Sequence, residues 1–275
     1  MGRQFISRND IALIGNLFLG EKLEGRPEQG IYVESATQNY KIGARKQVGP
    51  WVLHYCRASV ALPYTNKYRL VGNLTPALGD VPSPLEGPGC EVILTVAAAA
   101  GQKNITIPDI DSPVNLFQGG TIECWTTIGT FEFHRIASST ASNGTSVILT
   151  LEDNLVNALA IGNMVAPLPS QYYATGPMGV TYATRETAVC LALTPVTVNC
   201  FYWGITYGPV FLSCQANYWP GKNASDKDAY VWQDGTVATL GKWAPAAGVP
   251  SPQRIGYGLP SGDYGSGNIM LQLDP

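Results

Sequence analysis

The sequence predicts an all-β protein. Three observations point to it. Several runs alternate apolar and polar side chains at period two, the period of a half-buried strand. Turn residues recur at short intervals, with 30 Gly and 20 Pro among 275 residues, as expected where short strands are joined by tight connections. No segment carries three turns of amphipathic helix.

Taken in order, residues 1–45 read as an extended arm with no core of its own. It holds "QGIYVESATQNYKIG", a strand, a polar turn and a second short strand. Residues 46–172 read as a β-barrel-like domain. "YRLVGNL" and "CEVILTVAAAAG" supply its first strands, and the Pro/Gly-rich "ALGDVPSPLEGPG" is a surface connection. Further on, Val147, Leu149 and Leu151 alternate with Ile148 and Thr150, and Ser142–Gly144 is a turn between two strand-like runs. Residues 173–275 read as a C-terminal antiparallel β-domain, in which Leu191 and Leu193, then Val196 and Val198, keep the alternation going. Within it, "CFYWGITYGPVFLSC" reads as a hairpin turning at Gly208-Pro209, with Cys200 and Cys214 roughly opposite. Phe201, Trp203 and Ile205 fall on one strand face, the pattern of a core or a self-association surface.

Composition narrows the function classes. Charged residues make up 13% of the chain, against about 25% in typical soluble domains. A net charge of −3 provides no clustered positive field for nucleic acid or anionic lipid. The apolar run Ile11–Leu19 is broken by Gly15 and Asn16 and is too short to span a bilayer. It follows Asp10 and precedes no small-residue cleavage site, so no secretory leader is expected. Six scattered cysteines without C-x-x-C spacing read as free thiols, in preference to a Cys200–Cys214 bridge. The sequons at Asn73, Asn104, Asn143 and Asn223 then read as accidents of polar turns.

The search for chemistry yields weak candidates. His54 and His134 lack metal-ligand spacing. Glu132 and His134 share a strand face and read as the polar outer side opposite Phe131 and Phe133. Asp109 and Asp111 in "PDIDSP" would face one side if extended, at a spacing suited to inverting glycoside hydrolysis, but flanking prolines favour a surface turn. Asp226 and Asp228 lack the glycine and distal glutamate of a calcium loop, and "GYGLPSGDYGSGN" reads as a loop. No catalytic residue, metal site, cofactor or small-molecule substrate is therefore expected.

Four stretches in order, "EGRPEQGIYVESATQNYKIGARK", "NLFQGGTIECWTTIGTFEFHRIASSTASNGTSVILTLEDNLVNAL", "PVTVNCFYWGITYGPVFLSC" and "QRIGYGLPSGDYGSGNIMLQLDP", resemble the structural proteins of tailed bacteriophage heads. The likeness rests on an early strand at Ile31–Glu34, the Gly119, Gly120 and Ile122 opening of a barrel, the aromatic run Tyr202–Pro209 and a closing strand at Ile255–Leu259. It implies a head decoration, or cement, protein. Such a protein would be made in the host cytoplasm, form a homotrimer, sit on the virion head surface and contact a major capsid protein and its own copies. On that reading Phe5, Ile6, Leu17, Phe18 and Leu19 form a capsid-binding arm. The alternative is a glycan-binding host-recognition module of a tail fibre or spike, built on Trp203, Trp219, Trp232 and Trp243.

Overall fold

The computed structural model describes residues 22–63, 68–73, 91–126, 129–178, 187–214, 220, 227–231, 235–239, 253–259 and 267–273. Among them there is no helix, and the chain is all-β. The arm candidates Phe5, Ile6, Leu17, Phe18 and Leu19 lie outside the described residues, as do Cys90, Trp219, Asp226, Trp232 and Trp243.

Two compact units divide the chain. One comprises residues 1–74 and 174–275, and the other, residues 75–173, is inserted within it. The insertion starts later than the expected boundary at residue 46. The strands β1 (Arg45–Val48), β2 (Trp51–Arg57) and β3 (Val71–Asn73) belong with the C-terminal half. The reason is burial on both sides. The five central residues of β2 are all buried, so both faces need cover, and its free edge pairs with β12 (Phe201–Phe211). Likewise β3 pairs with β10 (Thr175–Pro177) and β11 (Thr187–Ala192).

The first unit is one ten-stranded sheet. Its order is β10-β3-β11-β12-β16-β15-β13-β14, with β2, and β1 beyond it, also paired to β12. Here β13 is Asp228–Val231, β14 Val237–Ala238, β15 Arg254–Gly258 and β16 Asn268–Gln272. Residues 22–44 cover the face of β2 and β12 that carries Tyr55 and Trp203. Tyr40 and Ile42 are buried there, and the Tyr40 ring lies 4.8 Å from Trp203 and 5.2 Å from Tyr55. A buried polar network fastens this segment. Tyr55 Oη and Asn39 Nδ2 donate to Gln29 Oε1 at 2.7 and 3.0 Å, and Gln29 Nε2 donates to the Phe201 carbonyl at 3.0 Å. The expected strand Ile31–Glu34 is instead a turn, closed by Val33 N–H to the Gly30 carbonyl, which leaves Tyr32 and Val33 exposed.

The predicted hairpin at Gly208-Pro209 does not exist, because β12 runs unbroken through both residues. Tyr207 pairs with Val52 of β2 and also with Gln272 of β16, and beyond it the strand pairs with β16. Between Ile205 and Tyr207 the register against β2 shifts by a bulge. Gly208 has φ +119°, and a Cβ on it would meet Pro50 O at 2.6 Å. Pro209 offers no N–H to a ladder, and its carbonyl accepts from the Trp51 indole at 2.7 Å. The Gly-Pro pair thus marks a change of partner along one strand. Cys200 and Cys214 flank that eleven-residue strand instead of facing each other across a hairpin, and both are free.

The inserted unit is a six-stranded sheet that nearly closes into a barrel, in the order β4-β9-β6-β7-β8-β5. Its strands are β4 (Val92–Ile93), β5 (Asn104–Pro108), β6 (Thr121–Trp125), β7 (Phe131–Ser139), β8 (Ser146–Leu151) and β9 (Met164–Leu168). Along β5, β6, β8 and the first half of β7 every other residue points inward, with Ile105, Ile107, Ile122, Ile136, Val147 and Leu149 fully buried, while β9 buries three residues in a row. The predicted turn at Ser142–Gly144 is present. Gly144 has φ +89°, and Asn143 Oδ1 accepts from the Thr145 and Ser146 amides.

Candidate interaction face

The phase of β7 is the reverse of the one expected. Glu132 and His134 point into the barrel, whereas Phe131 and Phe133 point out and are 54% and 55% exposed. Alternation leaves the two phases equivalent until a third residue decides, and Ile136 does so. It has the parity of Glu132 and His134 and is fully buried, so turning the phenylalanines inward would expel it.

The buried carboxylate is supplied with donors. His134 Nε2 donates to Glu132 Oε2 at 2.8 Å, and the Val156 amide donates to the same oxygen at 3.0 Å. Asn157 donates to Oε1 from both its backbone and its side chain. Burial pushes the Glu132 pKa up, but these hydrogen bonds outweigh it and hold the group below the ordinary carboxylate value. Cys124, opposite Glu132 on β6, has its thiol pushed up to about 12, first by burial and then by the neighbouring carboxylate. It is a protonated core thiol and no nucleophile at neutral pH.

Outside, the register lines up a row of apolar side chains. Phe131 stands opposite Trp125, Trp125 opposite Met164, and Met164 opposite Ile93, one each from β7, β6, β9 and β4. At about 4.8 Å per strand the row spans some 14 Å. The Trp125 and Phe131 rings are 5.8 Å apart and tilted by 53°. Met164 is 37% and Ile93 62% exposed. In register beside it stand Phe133, Glu123 and the buried Ala166, and then Arg135, Thr121 and Leu168. The face therefore has an aromatic and aliphatic centre with Glu123 and Arg135 on its flank, the layout of a protein interface with a dry core and a charged rim.

The other candidates resolve into structural parts. The Asp109 carboxylate closes its own turn, accepting from the Asp111 amide, the Ser112 amide and Ser112 Oγ at 3.2, 2.9 and 2.6 Å. Asp111 is exposed beyond that turn, so the extended geometry that a paired-carboxylate site requires is not formed here. Asp228 bonds Arg254 at 3.0 Å, and His54 Nδ1 lies 2.9 Å from the Gly43 carbonyl. Among the described residues no three His, Cys, Asp or Glu groups converge as metal ligands.

Trp203 is 1% exposed and Ile205 is as deeply buried, while Phe201 is half-buried and stacks on Tyr55 at 5.9 Å. An indole so covered offers no face to a sugar. On the opposite side of β12, Cys56 and Cys190 bring their sulfurs to 3.8 Å across the bare backbone of Gly204. Burial drives the Cys56 thiol and the Tyr202 phenol well above their ordinary pKa values. The outward row was missed in the sequence, although the parity of Ile136 in "FEFHRI" could have revealed it. Comparison with protein families, curated proteins and solved structures finds no match to this chain.

Proposed function

We propose that the chain is a structural virion protein, a decoration protein that stabilises the head shell of a tailed bacteriophage by contacts with a major capsid protein and with copies of itself. The observation that carries this reading is the outward row Phe131, Trp125, Met164 and Ile93. Four large side chains aligned across four strands, with Phe131, Met164 and Ile93 exposed and Trp125 half-buried against Phe131, suit a permanent neighbour better than solvent. Burying each contributes roughly 1.5–3 kcal/mol, enough to form the centre of a contact whose rim comes from the surrounding polar residues. The low charge of the chain fits a surface covered in an assembly. A homotrimer and a site on the head exterior extend the same proposal.

The test is addition of purified protein to phage heads that lack it. Wild type should co-sediment with the heads and appear by electron cryomicroscopy in tens to hundreds of lattice-related copies. Phe131→Asp combined with Phe133→Asp should leave the strand content unchanged and abolish co-sedimentation. Equal binding by wild type and the double variant would remove the face from the mechanism. Binding to host-cell glycans with none to heads would turn the reading to a recognition module.

A further inference from the structure

The first unit carries an apolar groove that the shell reading does not use. It has a volume of about 330 Å³ and lies where β11 and β16 meet successive stretches of β12. Leu191, Leu193, Val210 and Phe211 line it with Trp51 and Tyr68. Tyr68 and Phe211 meet edge to face at 5.4 Å and are both largely exposed. Its largely apolar walls offer water few hydrogen-bonding partners.

We infer that this groove seats the chain's own N-terminal segment, Ile11–Leu19. That stretch contains Ile11, Leu13, Ile14, Leu17, Phe18 and Leu19, more apolar surface than a solvated tail sustains. Its attachment point, Lys22, belongs to the segment that covers the sheet face on which Ile205 borders the groove. Lys22 pairs with Tyr40, the Tyr40 ring lies 4.8 Å from Trp203, and Trp203 is two residues, about 7 Å, from Ile205, which also borders the groove. Extended chain covers about 3.3–3.6 Å per residue, so a segment three to eleven residues upstream of Lys22 reaches roughly 10–40 Å. A segment tethered so closely sees the groove at an effective concentration in the millimolar range, well above that of a second copy in dilute solution. The chain's own segment is therefore the occupant, and the seat is an alternative to the shell contact expected for the arm. The inference does not depend on the shell reading.

Photo-crosslinking in the full chain tests it. Benzoylphenylalanine placed at Ile14 or at Phe18, in separate proteins, should crosslink on illumination to peptides containing residues 191–193 or 209–211. The product should run at the mass of one chain. Phe211→Asp, at an exposed position whose loss leaves the core intact, should lower that yield at least fivefold with an unchanged circular dichroism spectrum. Crosslinks at the mass of two chains would make a second copy the occupant and overturn the inference. So would crosslinks mapping elsewhere, or a yield insensitive to Phe211→Asp.

Discussion

His134 Nε2 donates to Glu132 Oε2 across 2.8 Å inside the inserted barrel, on the side of β7 opposite Phe131 and Phe133. Because the carboxylate also accepts from Val156 and Asn157, it ties a strand to a loop distant in sequence. Glu132→Ala would leave these donors without their acceptor. An abandoned buried donor costs about 1–3 kcal/mol, so a loss of roughly 2–4 kcal/mol is expected, read as a lower urea midpoint for the barrel. An unchanged midpoint would show that water replaces the carboxylate without cost.

The same group predicts an acid-sensitive component of stability. The folded Glu132 pKa lies below its ordinary value of 4.5, so the native state binds this proton less readily than the unfolded chain. The stabilisation is fully present above pH 4.5 and is lost as pH falls through the lower, folded value. Urea midpoints of wild type and Glu132→Gln should therefore converge as pH drops below 4.5. Parallel curves across that window would assign acid sensitivity to other carboxylates.

Gly204 predicts a steric effect on the other unit. A methyl at this position would meet Cys190 Sγ at 2.5 Å and Cys190 Cβ at 2.7 Å. Overpacking of this kind costs about 1–3 kcal/mol. Gly204→Ala should lower the thermal midpoint, and Cys190→Ala should recover only part of the loss, since the Cβ contact remains. Full recovery would mean that the sulfur alone sets the limit.

Much of the fold is legible because alternation reports the strand period, and β8 and β16 follow it. What alternation leaves open is phase and partner. Phe131 and Phe133 look like core residues until Ile136 is counted with Glu132 and His134, and the donors that make a buried carboxylate tolerable come from residues 156 and 157. Gly208-Pro209 reads locally as a turn, yet β16 pairs with both residues and keeps them within one continuous strand that has just left β2. The insertion boundary was misplaced for the same reason. Nothing within residues 45–73 announces that its strands pair with the C-terminal half.

Trp203→Ala should unfold or aggregate the first unit without selectively removing a binding activity. The indole packs against Tyr40 and Tyr55 at ring distances of 4.8 and 5.0 Å. Truncating a buried Trp costs about 3–5 kcal/mol, a large share of the 5–15 kcal/mol that holds a domain together. Soluble expression and the thermal midpoint provide the measurement. A variant with wild-type stability that has lost only a binding activity would contradict the packing seen here.

Thiol accessibility provides an independent check on both cores. Cys56, Cys124 and Cys190 are buried, while Cys200 and Cys214 are partly exposed. Among these five, site-resolved alkylation at pH 8 should modify Cys200 first and leave the three core cysteines unlabelled until denaturant is added. Early labelling of Cys56 or Cys190 in native protein would indicate that the sheet opens around Gly204.

The strands β3 and β10 pair with each other, Asn73 opposite Thr175 and Val71 opposite Pro177. The chain leaves the first unit on one of them and returns on the other. Departure and return thus fall on neighbouring strands of one sheet, and the barrel is inserted in the sequence between them. The pairs that hold β3 and β10 in register all lie outside residues 75–173. Evolution can then remodel the outward row on β4, β6, β7 and β9 to fit a new neighbour while the host sheet stays as it is.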